Sequence, residues 1–144
     1  MPKFSEKKII PYSPPQVFAV VADVASYPDF LPWCRGARVY NVTSKSFDAD
    51  VMIGFKLFRE RFTSRVTFVP DQSVDVDYIR GPMKRLYNHW KFKEQSDGGC
   101  VVDFEVDFEF KNRLLEDMIG NLFEKSCHKM VSAFETRAND LYGA

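Results

Sequence analysis

Between Arg35 and Phe110 apolar and polar residues alternate with a period of two, the spacing of strands that bury one face. Phe47, Ala49, Val51 and Ile53 alternate with Asp48 and Asp50, and Phe58, Phe62, Val66 and Phe68 with Arg59, Arg61, Arg65 and Thr67. Val74, Val76 and Tyr78 oppose Asp75 and Asp77, while Leu86, Asn88, Trp90 and Phe92 oppose Tyr87, His89, Lys91 and Lys93. The most regular run sets Val102, Phe104, Val106, Phe108 and Phe110 against Asp103, Glu105, Asp107 and Glu109. One wet and one dry face on every strand predicts an antiparallel sheet covered on one side.

Parity also predicts the register of the last hairpin. For Trp90 and Phe92 to share a face with Phe104 and Val106, paired residue numbers must sum to an even value. A three-residue loop at Asp97-Gly98-Gly99 satisfies this, with glycine in its left-handed position. Phe92 then opposes Phe104, and Trp90 opposes Val106. On the wet face Lys93 meets Asp103, Lys91 meets Glu105 and His89 meets Asp107, opposite charges directly across the ladder.

The two ends read differently. Lys3–Ile10 predicts a short strand. Ser13-Pro14-Pro15 starts a helix, because Ser13 can cap it and proline suits the first turn; Val17, Phe18, Val20, Val21 and Val24 form its apolar side. Ser26–Trp33 packs two prolines among bulky apolar residues and predicts a lid folded over an apolar space. After Phe110 the period lengthens, predicting a helix from Asn112 to about Tyr142. Leu115, Ile119, Leu122, Phe123, Met130, Ala133, Phe134 and Leu141 fall on one stripe; Gly120 weakens the run or permits a close approach. Thirty helical residues span about 45 Å. One dry sheet face and one long stripe must cover each other. The predicted fold is therefore α+β: a curved antiparallel sheet wrapped around a long C-terminal helix, with short helices after the first strand. A helix covers only a strip of a curved sheet, which leaves an apolar pocket beside it. No repeat or low-complexity linker interrupts the chain, so residues 1–144 read as one ligand-binding domain.

Composition sharpens this little. The 144 residues are 45% hydrophobic and 28% charged, ordinary for a globular chain, but 15% are aromatic and fourteen are Phe. So many rings suit a large core and a cavity equally well. Twenty acids balance twenty bases, so no global field recommends nucleic acid. The charges are segregated: nine bases against four acids over residues 56–93, then eight acids against two bases over residues 94–117. Cross-strand pairing accounts for that pattern. Three widely spaced cysteines suggest a reducing compartment and no structural zinc. With no secretory segment and no run long enough to span a bilayer, the sequence reads as soluble, and any membrane contact would be peripheral.

The chain offers little catalytic chemistry. His89 reads as a wet-face residue, His128 lies toward the polar side of the long helix, and the neighbouring Cys127 diverges from it by about 100°. The Asp103–Glu109 carboxylates face solvent beside lysines, where no large pKa shift is expected. There is no phosphate loop, dinucleotide fingerprint or metal motif. Binding is thus favoured over an enzymatic role, with no catalytic residue and no required cofactor. Arg59, Arg61 and Arg65 alternate away from the rings, which argues against a stacking platform for single-stranded nucleic acid and against DNA as a partner. A phosphate-rich surface, lipid or RNA, can still meet the tip around Arg80, Lys84 and Arg85. Arg137 interrupts the apolar stripe; snorkelling, a carboxylate partner or the orientation of a ligand would each explain it.

Three stretches carry a family resemblance: Tyr27–Cys34 (YPDFLPWC), Gly81–Phe92 (GPMKRLYNHWKF) and Val102 onward (VDFEVDFEFKNRLLEDMIGNLF, then MVSAFETRANDLY). With the strand spacing, they make the whole chain resemble the START-like, helix-grip, polyketide cyclase-like superfamily. Within it the chain is similar to the coenzyme Q-binding branch, which overlaps the bacterial ribosome-association toxins. Met83 stands where that branch would have Phe, a swap that keeps an adaptable apolar side chain. The resemblance implies a hydrophobic cavity that binds ubiquinone or a similar isoprenoid lipid and supports respiratory electron transport as carrier or chaperone. The protein would be cytoplasmic, or peripheral at the inner face of the respiratory membrane. The alternative is a ribosome-associated regulator that blocks subunit association; a cyclase-like enzyme is the third. Wall candidates are Phe30, Leu31 and Trp33 in the lid, Met83, Trp90, Phe104 and Phe108 on strands, and Met118, Leu122 and Phe123 on the helix. Tyr78 and Asn88, on the dry face, can donate to a quinone carbonyl. Each of these positions would serve an ordinary core equally well.

Overall fold

Every alternating segment pairs antiparallel with the next. The computed structural model describes residues 3–31, 33–55, 58–120 and 123–143. The strands are β1 (Lys3–Ile10), β2 (Cys34–Tyr40), β3 (Ser46–Phe55), β4 (Phe58–Val69), β5 (Ser73–Arg80), β6 (Met83–Glu94) and β7 (Cys100–Phe110). Helix α1 (Pro14–Ala22) and a 3-10 turn (Val24–Asp29) lie between β1 and β2; α2 (Arg113–Gly120) and α3 (Phe123–Tyr142) follow β7. The sheet order is β1-β7-β6-β5-β4-β3-β2, so β2 to β7 form successive hairpins and β1 returns to the far edge. The long helix expected from Asn112 is described as α2 and α3, either side of residues 121–122.

Helix α1 begins where Ser13 and the prolines place it, and Gln16 Oε1 accepts the Ser13 backbone N–H at 3.0 Å. On α3 the buried side chains among the described residues are Cys127, Val131, Phe134 and Ala138, at spacings of four, three and four. This stripe differs from the expected one at its end, where Leu141 is 52% exposed. The side chains of Leu115, Ile119 and Phe123, and all of Leu122, lie outside the described residues. Polar contacts fix the helix to the N-terminal elements. Lys8 Nζ pairs with Glu135 at 2.7 Å, His128 Nδ1 lies 3.1 Å from Glu6 Oε1, and the Tyr12 hydroxyl donates to Asn139 Oδ1 at 2.6 Å.

The parity rule for the last hairpin holds, but its loop is longer than predicted. Glu94 pairs with Cys100, leaving a five-residue loop closed by the Gln95 N–H to the Gly99 carbonyl at 2.9 Å, with Gly98 at φ 90°. Asp97 Oδ1 accepts the Gly99 N–H at 3.0 Å, and a Cβ on Gly99 would lie 2.9 Å from the Ile10 carbonyl oxygen. These contacts select the longer loop. Two extra residues keep the sum even while sliding the register by two, so Trp90 opposes Phe104 and Phe92 opposes Val102. The wet-face partners slide too: Lys91 opposes Asp103 and His89 opposes Glu105. His89 bonds sideways to Asp75 on β5, and Asp107 is taken by Arg85 at 2.9 Å.

The outer face of β2–β4 is less simply wet than alternation implies. Asp48 and Asp50 are 7% and 9% exposed, in a lattice of donors. Asp50 accepts from Thr63 Oγ1 at 2.6 Å and from the Tyr40 hydroxyl and Arg38 at 2.9 Å; Asp48 accepts from Arg65 Nε and Asn41 Nδ2 at 2.9 Å. The Arg65 bond chiefly holds the Asp48 carboxyl below the usual range, and the Thr63 hydroxyl does the same for Asp50. Because both carboxyls titrate lower in the folded chain than in the unfolded one, their stabilisation is present above about pH 4 and lost as pH falls through the lowered folded values. Denaturant midpoints followed from neutral pH into the acid limb should fall steeply, and Asp50→Asn should flatten that fall while lowering the neutral-pH midpoint. An identical acid limb in the variant would show that Asp50 carries none of it.

Candidate functional site

The curvature that lets seven strands surround one helix leaves room on the inner face. A cavity of about 240 Å³ lies between β3–β7, the Val24–Leu31 segment and α3. Val51, Phe62, Leu86, Trp90 and Phe108 form part of its sheet side, and Cys127, Met130 and Phe134 its helix side. Val24, Tyr27, Leu31 and Trp33 close it from above.

The lid is held from both directions. Pro28 lies inside the 3-10 turn, and the Tyr27 hydroxyl donates to the Val21 carbonyl of α1; burial pushes that hydroxyl's pKa far up, keeping it a neutral donor. The rings of Tyr27 and Phe30 stand edge-on to Phe134, with centroids at 5.3 and 5.2 Å. Arg137 has no carboxylate partner among the described residues. Its guanidinium lies 5.3 Å from the Phe30 ring, a cation–π contact that secures the lid from outside.

Among the described residues three polar ones interrupt the wall: Glu60, Ser64 and Asn88. Glu60 is exposed and marks where the cavity meets solvent, beside Trp33 and Gly54. Asn88 Oδ1 is buried with no hydrogen-bond partner among the described residues, a position that costs roughly 1–3 kcal/mol unless something fills it. Glu60 and Ser64 were missed in the sequence although they share β4's even parity with Phe62 and Val66, which alone sends them inward. The thiols of Cys34 and Cys100 are pushed up by burial, as expected of unreactive core cysteines.

Of the wall candidates, Leu31, Trp33, Met83, Asn88, Trp90 and Phe108 line the cavity. Phe30, Phe104 and Tyr78 stand behind the wall instead. Phe30 leans on Phe134, Phe104 is stacked behind Trp90 at 4.3 Å, and the Tyr78 hydroxyl accepts the Met83 N–H at 3.0 Å. The side chains of Met118 and Phe123, and Leu122 altogether, lie outside the described residues. Of the three basic candidates at the tip, Lys84 and Arg85 are neutralised by Glu109 at 3.3 and 2.6 Å, and only Arg80 is unpaired among the described residues.

Residues 10–135 match the family described as polyketide cyclase/dehydrase and lipid transport. The chain belongs to this family. Among its relatives, the ribosome association toxin RatA of Escherichia coli is 38% identical over 144 residues, covering 100% of this chain and 91% of that one. The mitochondrial coenzyme Q-binding protein COQ10 of Drosophila melanogaster is 34% identical over 135 residues, covering 91% of this chain and 56% of that one. A START superfamily protein of Mycobacterium smegmatis superposes with a TM-score of 0.82 at 14% identity, covering 96% of this chain and 98% of that one. That likeness fixes the START-like fold alone.

Phe134 joins lid, helix and sheet. Truncating it as Phe134→Ala should cost about 3–5 kcal/mol, read as a lower urea midpoint. A loss under about 1 kcal/mol would mean that the lid and helix pack without it.

Proposed function

We propose that the cavity receives the ring of an isoprenoid quinone or a similar lipid, and that the protein carries or chaperones this ligand for respiratory electron transport. The supporting observation is the Asn88 amide oxygen, buried with no partner among the described residues, in a mainly apolar enclosure that Ser64 and Glu60 also line. Such a wall suits a flat, greasy ring; the Asn88 oxygen accepts from a hydroxyl on it, as in the reduced quinol, and a quinone carbonyl is met when the amide turns its Nδ2 inward. At about 240 Å³ the space is smaller than that taken by whole drug-sized ligands, usually about 300–1,000 Å³. A ring fits inside, and a long tail leaves past Glu60 and Trp33. The name of the Drosophila relative supports the choice of coenzyme Q.

Binding is favoured over turnover because both histidines are engaged elsewhere, His89 with Asp75 outside and His128 with Glu6 at the sheet edge. The carrier role makes membrane contact peripheral, and no helix among the described residues is long and apolar enough to cross a membrane. A second reading, a regulator that associates with the ribosome, is supported by the RatA relatives and their end-to-end match. Co-sedimentation with ribosomal subunits, weakening steeply with salt, is its test.

For the quinone reading, the protein is purified from a quinone-producing host, extracted with solvent and analysed by mass spectrometry. Near-stoichiometric quinone is expected; protein that is empty and refuses added quinone would overturn the reading. Asn88→Leu separates anchoring from packing. It removes an unpaired polar atom, so the empty protein should become more stable by about 1 kcal/mol, while quinone retention falls severalfold. Lower stability together with unchanged retention would assign Asn88 to the core.

A further inference from the structure

The outer face beside the cavity mouth carries arginines that the fold does not neutralise. On β4, Arg59 and Arg61 point away from the cavity, flanking the inward Glu60 and Phe62. Arg59 opposes Gly54, and the Arg35 side chain crosses that glycine: a Cβ there would lie 2.8 Å from Arg35 Nε. From the other side the β5–β6 turn closes against β4. Gly81 adopts φ 145°, and a Cβ on it would fall 2.7 Å from Phe62 Cβ and 3.0 Å from the Arg61 carbonyl oxygen. A register shift between Thr63 and Ser64 rotates the end of β5, so Arg80 pairs with Thr63 on the outer face although Tyr78 faces inward.

Arg35, Arg59, Arg61 and Arg80 are all exposed, and among the described residues none forms an ion pair with a carboxylate, although Arg80 lies close enough to Asp48 to act on it at longer range. This contrasts with Arg38, Arg65, Lys84 and Arg85, each paired with an aspartate or glutamate. Two apolar side chains sit among the four. Met52, opposite Arg61, is 47% exposed, and Ile79, beside Arg80, is 39% exposed.

The geometry points to this face as a docking surface for an anionic phospholipid bilayer, which seats the cavity mouth at the membrane. Guanidinium groups meet lipid phosphates bidentately, and the surface potential of an anionic leaflet attracts each of them. Met52 and Ile79 enter the headgroup boundary, where Trp33 at the mouth is also at home. A purely phosphate surface such as RNA would engage the arginines and leave Met52 and Ile79 in water. The assignment rests on the lipid-cavity reading, because a lipid carrier must bring its opening to the bilayer.

The test uses the full chain, stripped of bound lipid, and quinone-free vesicles of phosphatidylcholine alone or with roughly one third phosphatidylglycerol. Co-sedimentation with the anionic vesicles only is expected. Arg59→Gln/Arg61→Gln should weaken it about 25-fold, at about fivefold per charge. Lys3→Gln/Lys7→Gln, on the opposite edge of the sheet, should leave it unchanged. Met52→Ser/Ile79→Ser should abolish the binding that survives high salt. Arg80→Gln is a single-site check, and an unchanged denaturation midpoint confirms that each variant is folded. Equal binding to both vesicle types, or equal loss in the two double-charge variants, overturns the assignment. Arginine-dependent binding to ribosomal subunits without vesicle binding overturns it too, and gives the face to RNA. Since the vesicles hold no quinone, a protein that carries quinone but ignores them refutes this surface alone, and one that binds them but carries no quinone refutes only the cavity reading.

Discussion

A single ring, Phe134, is the point on which three parts of the molecule bear. Its centroid lies 4.9 Å from Trp90 on the sheet, 5.3 Å from Tyr27 and 5.2 Å from Phe30 in the lid. Trp90 passes the contact on to Phe104, on the neighbouring strand. Helix, sheet and lid are therefore one packing unit. Rings at these spacings gain more than their buried area alone, because edge meets face.

The cavity follows from a mismatch of widths. A helical stripe covers about a third of the helix circumference, whereas the inner face of this sheet is seven strands wide. Where Val131 and Ala138 are buried, away from the cavity lining, the interior is filled. Beside that line, from Val51 to Leu86 and Phe108, it is not. Asn88 sits on that side with its oxygen unpaired, where a solid core would have selected an aliphatic residue.

Local periodicity made most of this legible. Alternation fixed which side chains of β3 to β7 face inward, and the Ser13-Pro14-Pro15 start and the change of period after Phe110 placed the helices. Quantities set by tertiary contact stayed hidden. The even-sum rule could not distinguish a three-residue loop from a five-residue one; the approach of Gly99 to Ile10 decided that. Nor could it show that Asp48 and Asp50 are buried, since the covering groups, Arg38, Tyr40 and Arg65, come from other strands. Within the candidate site, inward parity was assigned correctly to Phe104 and Tyr78, but facing inward is not the same as reaching the cavity. Phe104 is overlain by Trp90, and Tyr78 is drawn to the Met83 amide. The same rule would have found Ser64 and Glu60 had polar residues been followed along with apolar ones.

The place of β1 in the sheet has a consequence for how the chain folds. From β2 to β7 each strand pairs with its immediate neighbour in sequence, a set of short loop closures. The pairing of Lys3 with Asp107 joins residues 104 positions apart, so its closure entropy is the largest in the sheet and it is expected to form late. Until then β7 is an edge whose inner side carries Val102, Phe104 and Val106. Its other side carries Asp103, Glu105, Asp107 and Glu109; Asp107 and Glu109 are paired with Arg85 and Lys84 of β6, and Asp103 and Glu105 supply the charge that repels a second copy. The acidic run thus guards the strand that must wait longest for its partner.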